Sequence, residues 1–237
     1  MKKITCSLLG LLLFASAFAQ TDMSTILKKI NEAYQNNENM SVTTTYKMFA
    51  NHTTTMPAQT LSAIMKKKGR NMSYKLDKME RLESSNRRIM VNHESKTVIV
   101  QPNDKDKKPY VMDFELEKYL NKKTIGQVQE QGENLLLSVP LKTGDIEKVE
   151  MIVNKTTFLL SKMVVYYHQN IRFNAADKNA PKEKPRMEIS FQINLSPTFG
   201  SGDFAETKFI QVNNGVVKLN KDFNGYQLVN YDKNKTR

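Results

Sequence analysis

The 237-residue sequence has one cysteine, no tryptophan and three histidines. A single thiol excludes an intrachain disulfide and a multi-thiolate metal site. That thiol, Cys6, lies upstream of an apolar run in a segment expected to be removed, so a cysteine nucleophile is excluded as well. His52, His93 and His168 are far apart and form no HExxH or other ligand spacing. Gly200-Ser201-Gly202 lacks the frame of a nucleophile elbow, and no glycine-rich loop is present to cradle a phosphate. Asp77, Glu80 and Glu83 are interleaved with Lys78 and Arg81, which reads as a solvated face rather than a pair of catalytic carboxylates. No long hydrophobic run occurs either: residues 7–15 are too short for a bilayer core, which needs about 20 apolar residues.

What is present starts with an export signal. Lys2 and Lys3 precede the apolar run, and Ala17-Phe18-Ala19 offers small side chains where a signal peptidase reads, so residues 1–19 read as a signal peptide cut before Gln20. Residues 20–237 then form a single domain without a covalent staple, stabilised by its core. The chain carries a net +12, but its lysines are scattered over turn-rich stretches such as Lys66-Lys67-Lys68-Gly69-Arg70. That distribution, with export, argues against a nucleic-acid partner; solvated loops or attraction to an anionic membrane face account for it.

One amphipathic helix is expected near the start, capped by Asp22 or Ser24, with Ile26, Leu27, Ile30, Ala33 and Tyr34 on one face. The period then switches to two. Val42, Thr44, Tyr46 and Met48 alternate with polar neighbours; Leu61, Ala63 and Met65 follow; and Met72, Tyr74 and Leu76 come after a Gly69 turn. Residues 88–92 and 97–101 read as a hairpin, and residues 113–121 as a short helix capped by Asp113. Strands resume at 124–130 and 134–141. The strongest hairpin spans 146–168, with Val149, Met151 and Val153 opposite Leu159, Met163, Val165 and Tyr167. A charged loop over 174–186 leads to a strand with Met187, Ile189, Phe191, Ile193 and Leu195 pointing inward. The tail holds a short helix and strands near 216–219 and 226–229. About ten strands and two helices give a mainly β (α+β) fold: a curved antiparallel sheet or open half-barrel with both helices against its concave face.

This order of elements resembles the periplasmic outer-membrane lipoprotein carrier (LolA-like) family. The likeness is carried by the hairpin from Val149 to Val165 with its turn Asn154-Lys155-Thr156-Thr157, and by the strand from Met187 to Leu195 closed by Ser196-Pro197. Two departures stand out. The early-strand arginine by which that family holds its helical lid closed has no clear counterpart, since Arg70, Arg81 and Arg87 read as turn or exposed positions. The tail after Phe204 adds an extra element.

The resemblance implies a non-catalytic carrier with no cofactor, acting as a monomer. It would bind lipid or lipoprotein acyl chains in an apolar cavity and meet inner- and outer-membrane transport proteins transiently. The cavity is expected from Tyr46, Met48, Met65, Tyr74, Leu76, Met151, Met163, Val165, Ile189 and Phe191, and the lid from Ile26, Leu27, Ile30 and Tyr34. The methionines on strand faces suit a cavity of adaptable shape, and equally an ordinary core. The alternative role is a non-catalytic adaptor or structural subunit of a cell-envelope complex.

Overall fold

The computed structural model describes residues 23–103, 126–141, 144–172, 179 and 181–231; the expected signal peptide and the short helix at 113–121 lie outside them. Helix α1 (Met23–Asn36) is followed by β1 (Asn39–Phe49), β2 (Gln59–Lys68), β3 (Asn71–Leu76), β4 (Met79–Glu83), β5 (Arg87–Asn92) and β6 (Thr97–Pro102). Then come β7 (Gln127–Gln131), β8 (Asn134–Pro140), β9 (Ile146–Asn154), β10 (Leu160–Tyr167) and β11 (Arg186–Asn194). The tail supplies β12 (Ile210–Asn213), β13 (Val216–Leu219) and β14 (Gln227–Asn230), with short 3-10 turns at Glu206–Lys208 and Lys221–Phe223.

Among the described residues, twelve strands form one curved, open sheet in the order β14-β6-β5-β4-β3-β2-β1-β11-β10-β9-β8-β7. It consists of two meanders. The first runs outward from β1 to β6; the chain re-enters at the opposite edge as β7 and works inward to β11, which pairs with β1 over the register Ser41–Asn194 to Phe49–Arg186. Among the described residues the expected antiparallel pattern has one exception, where β14 lies parallel to β6.

Directly opposed residues share a face, so the registers sort the side chains. One row runs Leu137–Met151–Met163–Ile189–Tyr46–Leu61 across six strands, and all of it lies on the inner face that α1 covers. The period-2 pattern continues into β4–β6, but there the buried residues point the other way. Leu82, Ile89, Val91, Val98 and Val100 pack on the outer face against Phe209, Ile210, Val217 and Phe223. One sheet therefore carries two cores on opposite faces: α1 covers one and the tail covers the other.

Several expectations are corrected here. Asp77, Glu80 and Glu83 are not a common solvated face: Glu80 and Glu83 alternate across β4, and Glu83 is only 1% exposed. Leu195 lies beyond β11 and is 41% exposed rather than inward. The tail forms the hairpin β12–β13, with Asn214 and Gly215 both at positive φ (48° and 78°), the conformation a two-residue primed turn requires.

Polar contacts hold the tail on the outer face. Lys66 Nζ donates to Asp203 at 2.6 Å, and Arg87 Nη1 meets Glu206 at 2.9 Å. Glu80 meets Lys208, Lys75 at 3.3 Å and His93 Nε2 at 3.2 Å, while His93 Nδ1 lies 2.9 Å from the Tyr226 hydroxyl. Lys66 holds the Asp203 carboxyl below its usual value. At Glu80 burial works in the opposite direction, but Lys208, His93 and Lys75 outweigh it and the result is again a lowered value. Groups lowered in the folded state contribute stability above the ordinary carboxylate range and lose it as pH falls through the lowered values. Hydrogen exchange at pH 7 and below about pH 4 should show β12–β13 losing protection in acid before α1 does.

Candidate functional site

The inner face is built from the seam outward. In β1, β2 and β11 the apolar alternates Val42, Tyr46, Met65, Met187, Ile189, Phe191 and Ile193 share one cluster with Leu135, Leu137, Val139, Val149, Met151, Val153, Met163 and Val165 of β8–β10, and Met48 lies on the same face opposite Met187. Onto this surface α1 lays Ile26, Leu27, Ile30 and Tyr34, all buried in the same cluster. A 14-residue helix is marginal on its own in water. Its stability therefore comes from this contact.

The ten residues expected to line a cavity all lie on this inner face and fall into two groups. Met65, Met151, Met163, Val165 and Ile189 are buried, packed in one cluster with α1. Tyr46, Met48, Tyr74, Leu76 and Phe191 are half-buried, on β1, β3 and β11. Leu137, Met151, Val153 and Ile189 are each 0% exposed, so no water-sized void touches them. Ile26, Leu27, Ile30 and Tyr34 of α1 pack in the same cluster as these residues, so the inner face is closely packed where the helix lies.

Two polar contacts fasten the helix. Lys67, only 3% exposed, directs its ammonium at the C-terminal end of α1 and donates to the carbonyls of Tyr34 (2.9 Å), Gln35 (3.0 Å) and Asn37 (2.7 Å). The last carbonyls of a helix lack partners within it and carry the negative end of the dipole, so a buried cation there is doubly favourable. Asn37 Nδ2 satisfies the Ala33 carbonyl at 2.6 Å. At the other contact the Leu160 amide donates to the Tyr34 hydroxyl at 3.2 Å, and burial pushes that phenol up to about 12. Near the N-terminal end Gly126 leaves room for Met23, because a Cβ at residue 126 would run into the Met23 Cε. The exposed pair Lys28–Glu32 at 3.9 Å adds little.

Sequence reasoning missed Lys67. It sits in a run of basic residues that reads as a loop, yet its register opposite Met40 and Met72 puts it on the inner face between apolar neighbours. The signal was available: strand alternation from Ala63 and Met65 places the next inward residue at 67. Sequence reasoning also misplaced two arginines. Arg81 lies in β4 on the inner face, opposite Tyr74, and Arg87 binds Glu206 on the outer face.

A second concavity, of about 260 Å³, lies on the outer face of β8–β11. Its apolar floor is Leu136, Ile152 and Val164, and its rim holds His52, Glu150, Lys162, Tyr166, Arg186 and Glu188. Arg186 stacks on Phe49 and donates to the carbonyls of Asn51, His52 and Thr54, tying the β1–β2 loop to β11. Lys162 meets Glu188 at 2.7 Å, and the Tyr166 hydroxyl donates to Glu150 at 2.9 Å. These pairings hold the loop and strand rows in place. Among the described residues no cluster of three or more histidines and carboxylates is placed to hold a metal ion. Nor, among them, is any helix long and apolar enough to cross a membrane.

No family model matches the sequence, and no curated protein matches it. Solved structures do resemble the fold. An uncharacterised conserved protein from Thermus thermophilus is 8% identical, with 86% of this chain and 98% of that one covered and a TM-score of 0.43. The MucA/MucB complex of Pseudomonas aeruginosa is matched at 12% identity over 74% of this chain and 58% of that one, with a TM-score of 0.40. A LolA-superfamily protein from Nitrosomonas europaea is 12% identical over 78% of this chain and 98% of that one, with a TM-score of 0.34.

Proposed function

We propose that the chain is an exported, non-catalytic carrier that works in the periplasm and holds acyl chains of lipid or lipoprotein on its inner face, moving them toward the outer membrane. The observation that carries this reading is a short amphipathic helix occupying an otherwise continuous apolar surface and fastened at its end by one buried lysine. On this reading α1 occupies the guest's place until a guest displaces it.

Magnitudes set what guest can replace it. Burying an aliphatic or aromatic side chain contributes about 1.5–3 kcal/mol, so the four buried side chains of α1 contribute roughly 6–12 kcal/mol. A chain of ~14 methylenes, at about 0.8 kcal/mol each, supplies about 11 kcal/mol. Long acyl chains therefore match the helix and short ones do not. Titration of a fluorescent fatty-acid probe, with competition by saturated chains of increasing length, is expected to show binding that sets in between ~8 and ~14 carbons. Absence of probe binding at any length would refute the carrier.

The closely packed inner face is also a specific observation in favour of a second reading, a non-catalytic adaptor of an envelope complex. In that case α1 is a permanent part of the core. Contacts would then be made by the sheet edge at β7, a short polar strand whose one neighbour among the described residues is β8. The adaptor binds no probe and co-purifies with a membrane complex, so the same titration separates the two.

A further inference from the structure

The apolar rows of the inner face do not end in apolar residues. The row Val42–Met65–Tyr74 continues into Arg81 of β4 and then Met90 of β5. The row beside it runs Met40–Lys67–Met72–Glu83–Arg88. Arg81, Glu83 and Arg88 therefore share the inner face at the end where α1's buried contacts give way to β4 and β5. Their partners on the opposite side of the same strands, Leu82 and Ile89, lie in the outer core, so the backbone cannot turn the three toward solvent without exposing that core.

Two guanidiniums here meet one carboxylate. Arg88 Nε donates to Glu83 Oε1 at 2.8 Å, and Arg81 Nη2 meets the same oxygen. Glu83 is 1% exposed, whereas the arginine side chains keep 23% (Arg81) and 31% (Arg88) of their surface. Arg81 Nε is buried without a hydrogen-bond partner. The trio thus carries one excess positive charge, the carboxylate does not saturate the donors, and part of each arginine side chain stays accessible. Adjacent strands lie about 4.8 Å apart, so Arg81 is roughly 10 Å across the sheet from Met65. An apolar strip leading to unsaturated, fork-shaped donors matches an anion at the end of an aliphatic chain.

We infer that the inner face selects anionic amphiphiles, with Arg81 and Arg88 binding a phosphate or carboxylate head while the chain lies over Met65 and Tyr74. This rests on the carrier reading and adds the class of guest. Glu83 tunes the site, since it neutralises one of the two cations.

The test is displacement of a neutral fluorescent lipid probe from the full chain by dodecyl phosphate, by dodecanol and by inorganic phosphate. Dodecyl phosphate is expected to compete about tenfold better than dodecanol, and inorganic phosphate at the same concentration not to compete. Arg88→Gln should reduce the preference to within about threefold, and Glu83→Gln, which leaves both arginines unneutralised, should raise it. A residue that only supports the fold would move both variants in the same direction, and the neutral competitor reports whether each variant still folds a working site. Equal competition by phosphate ester and alcohol in the unmodified chain overturns the headgroup assignment and leaves the carrier intact. Competition by inorganic phosphate alone overturns it in favour of a free-anion site. A chain that binds none of the lipids takes the carrier reading down and this assignment with it.

Discussion

In a Lys67→Met variant the amides of α1 should exchange about a hundredfold faster than in the unmodified chain, while those of β9–β11 keep their protection. Methionine preserves most of the stem's packing between Met40 and Met72 but removes the donor from the carbonyls of Tyr34, Gln35 and Asn37. A hydrogen bond from a charged group contributes about 1.5–3 kcal/mol, and water recovers part of three such bonds once the helix lifts. A net loss of roughly 3 kcal/mol corresponds to about two decades in the opening equilibrium. Hydrogen exchange with mass spectrometry on the peptide covering Met23–Asn36 measures it. Under the carrier reading the same variant takes up a fatty-acid probe faster. Unchanged exchange in α1 would mean that apolar packing alone holds the helix.

The second large effect belongs to the other face. Phe223 is 7% exposed and sits among Phe209, His93 and Tyr226 at ring distances of 5.7, 6.2 and 5.1 Å. Truncation by Phe223→Ala should cost roughly 3–5 kcal/mol, because the ring's contacts are lost and the aromatic group around it closes only in part. Thermal unfolding is expected to fall by roughly 10 °C. Exchange in β12–β13 should accelerate, with α1 far less affected, since the sheet separates the two cores. If α1 loosened to the same extent, the two faces would be one cooperative unit.

The strands and the first helix were legible because both rest on local periodicity. Tyr46, Met65, Met151, Met163 and Ile189 fall on one face simply because the backbone alternates. Which face a strand buries is a different matter. Leu82, Ile89, Val91, Val98 and Val100 alternate as regularly as the seam residues, yet they pack outward because a tail more than a hundred residues later in the chain lies against them. Periodicity has no information about what will cover a face, so this reversal was not readable.

Buried charge was hidden for a similar reason. Lys67 and Glu83 sit in charged runs that locally favour solvent, and only their cross-strand partners show that each is enclosed: Lys67 by helix carbonyls, Glu83 by two arginines. The apolar rows of the inner face were thus readable, and the polar contacts that fasten and flank them were not. The parallel pairing of β14 was missed because a four-residue strand carries no signal of direction.

The most direct test of the central claim is to photolabel the chain with a long-chain fatty acid bearing a diazirine near its end and to map the adducts by peptide mass spectrometry. The expected adducts fall on β9–β11 around Met151, Met163 and Ile189 and on the inner side of α1. Label confined to the outer face, or none above the level given by a short-chain control, would contradict a guest beneath the helix.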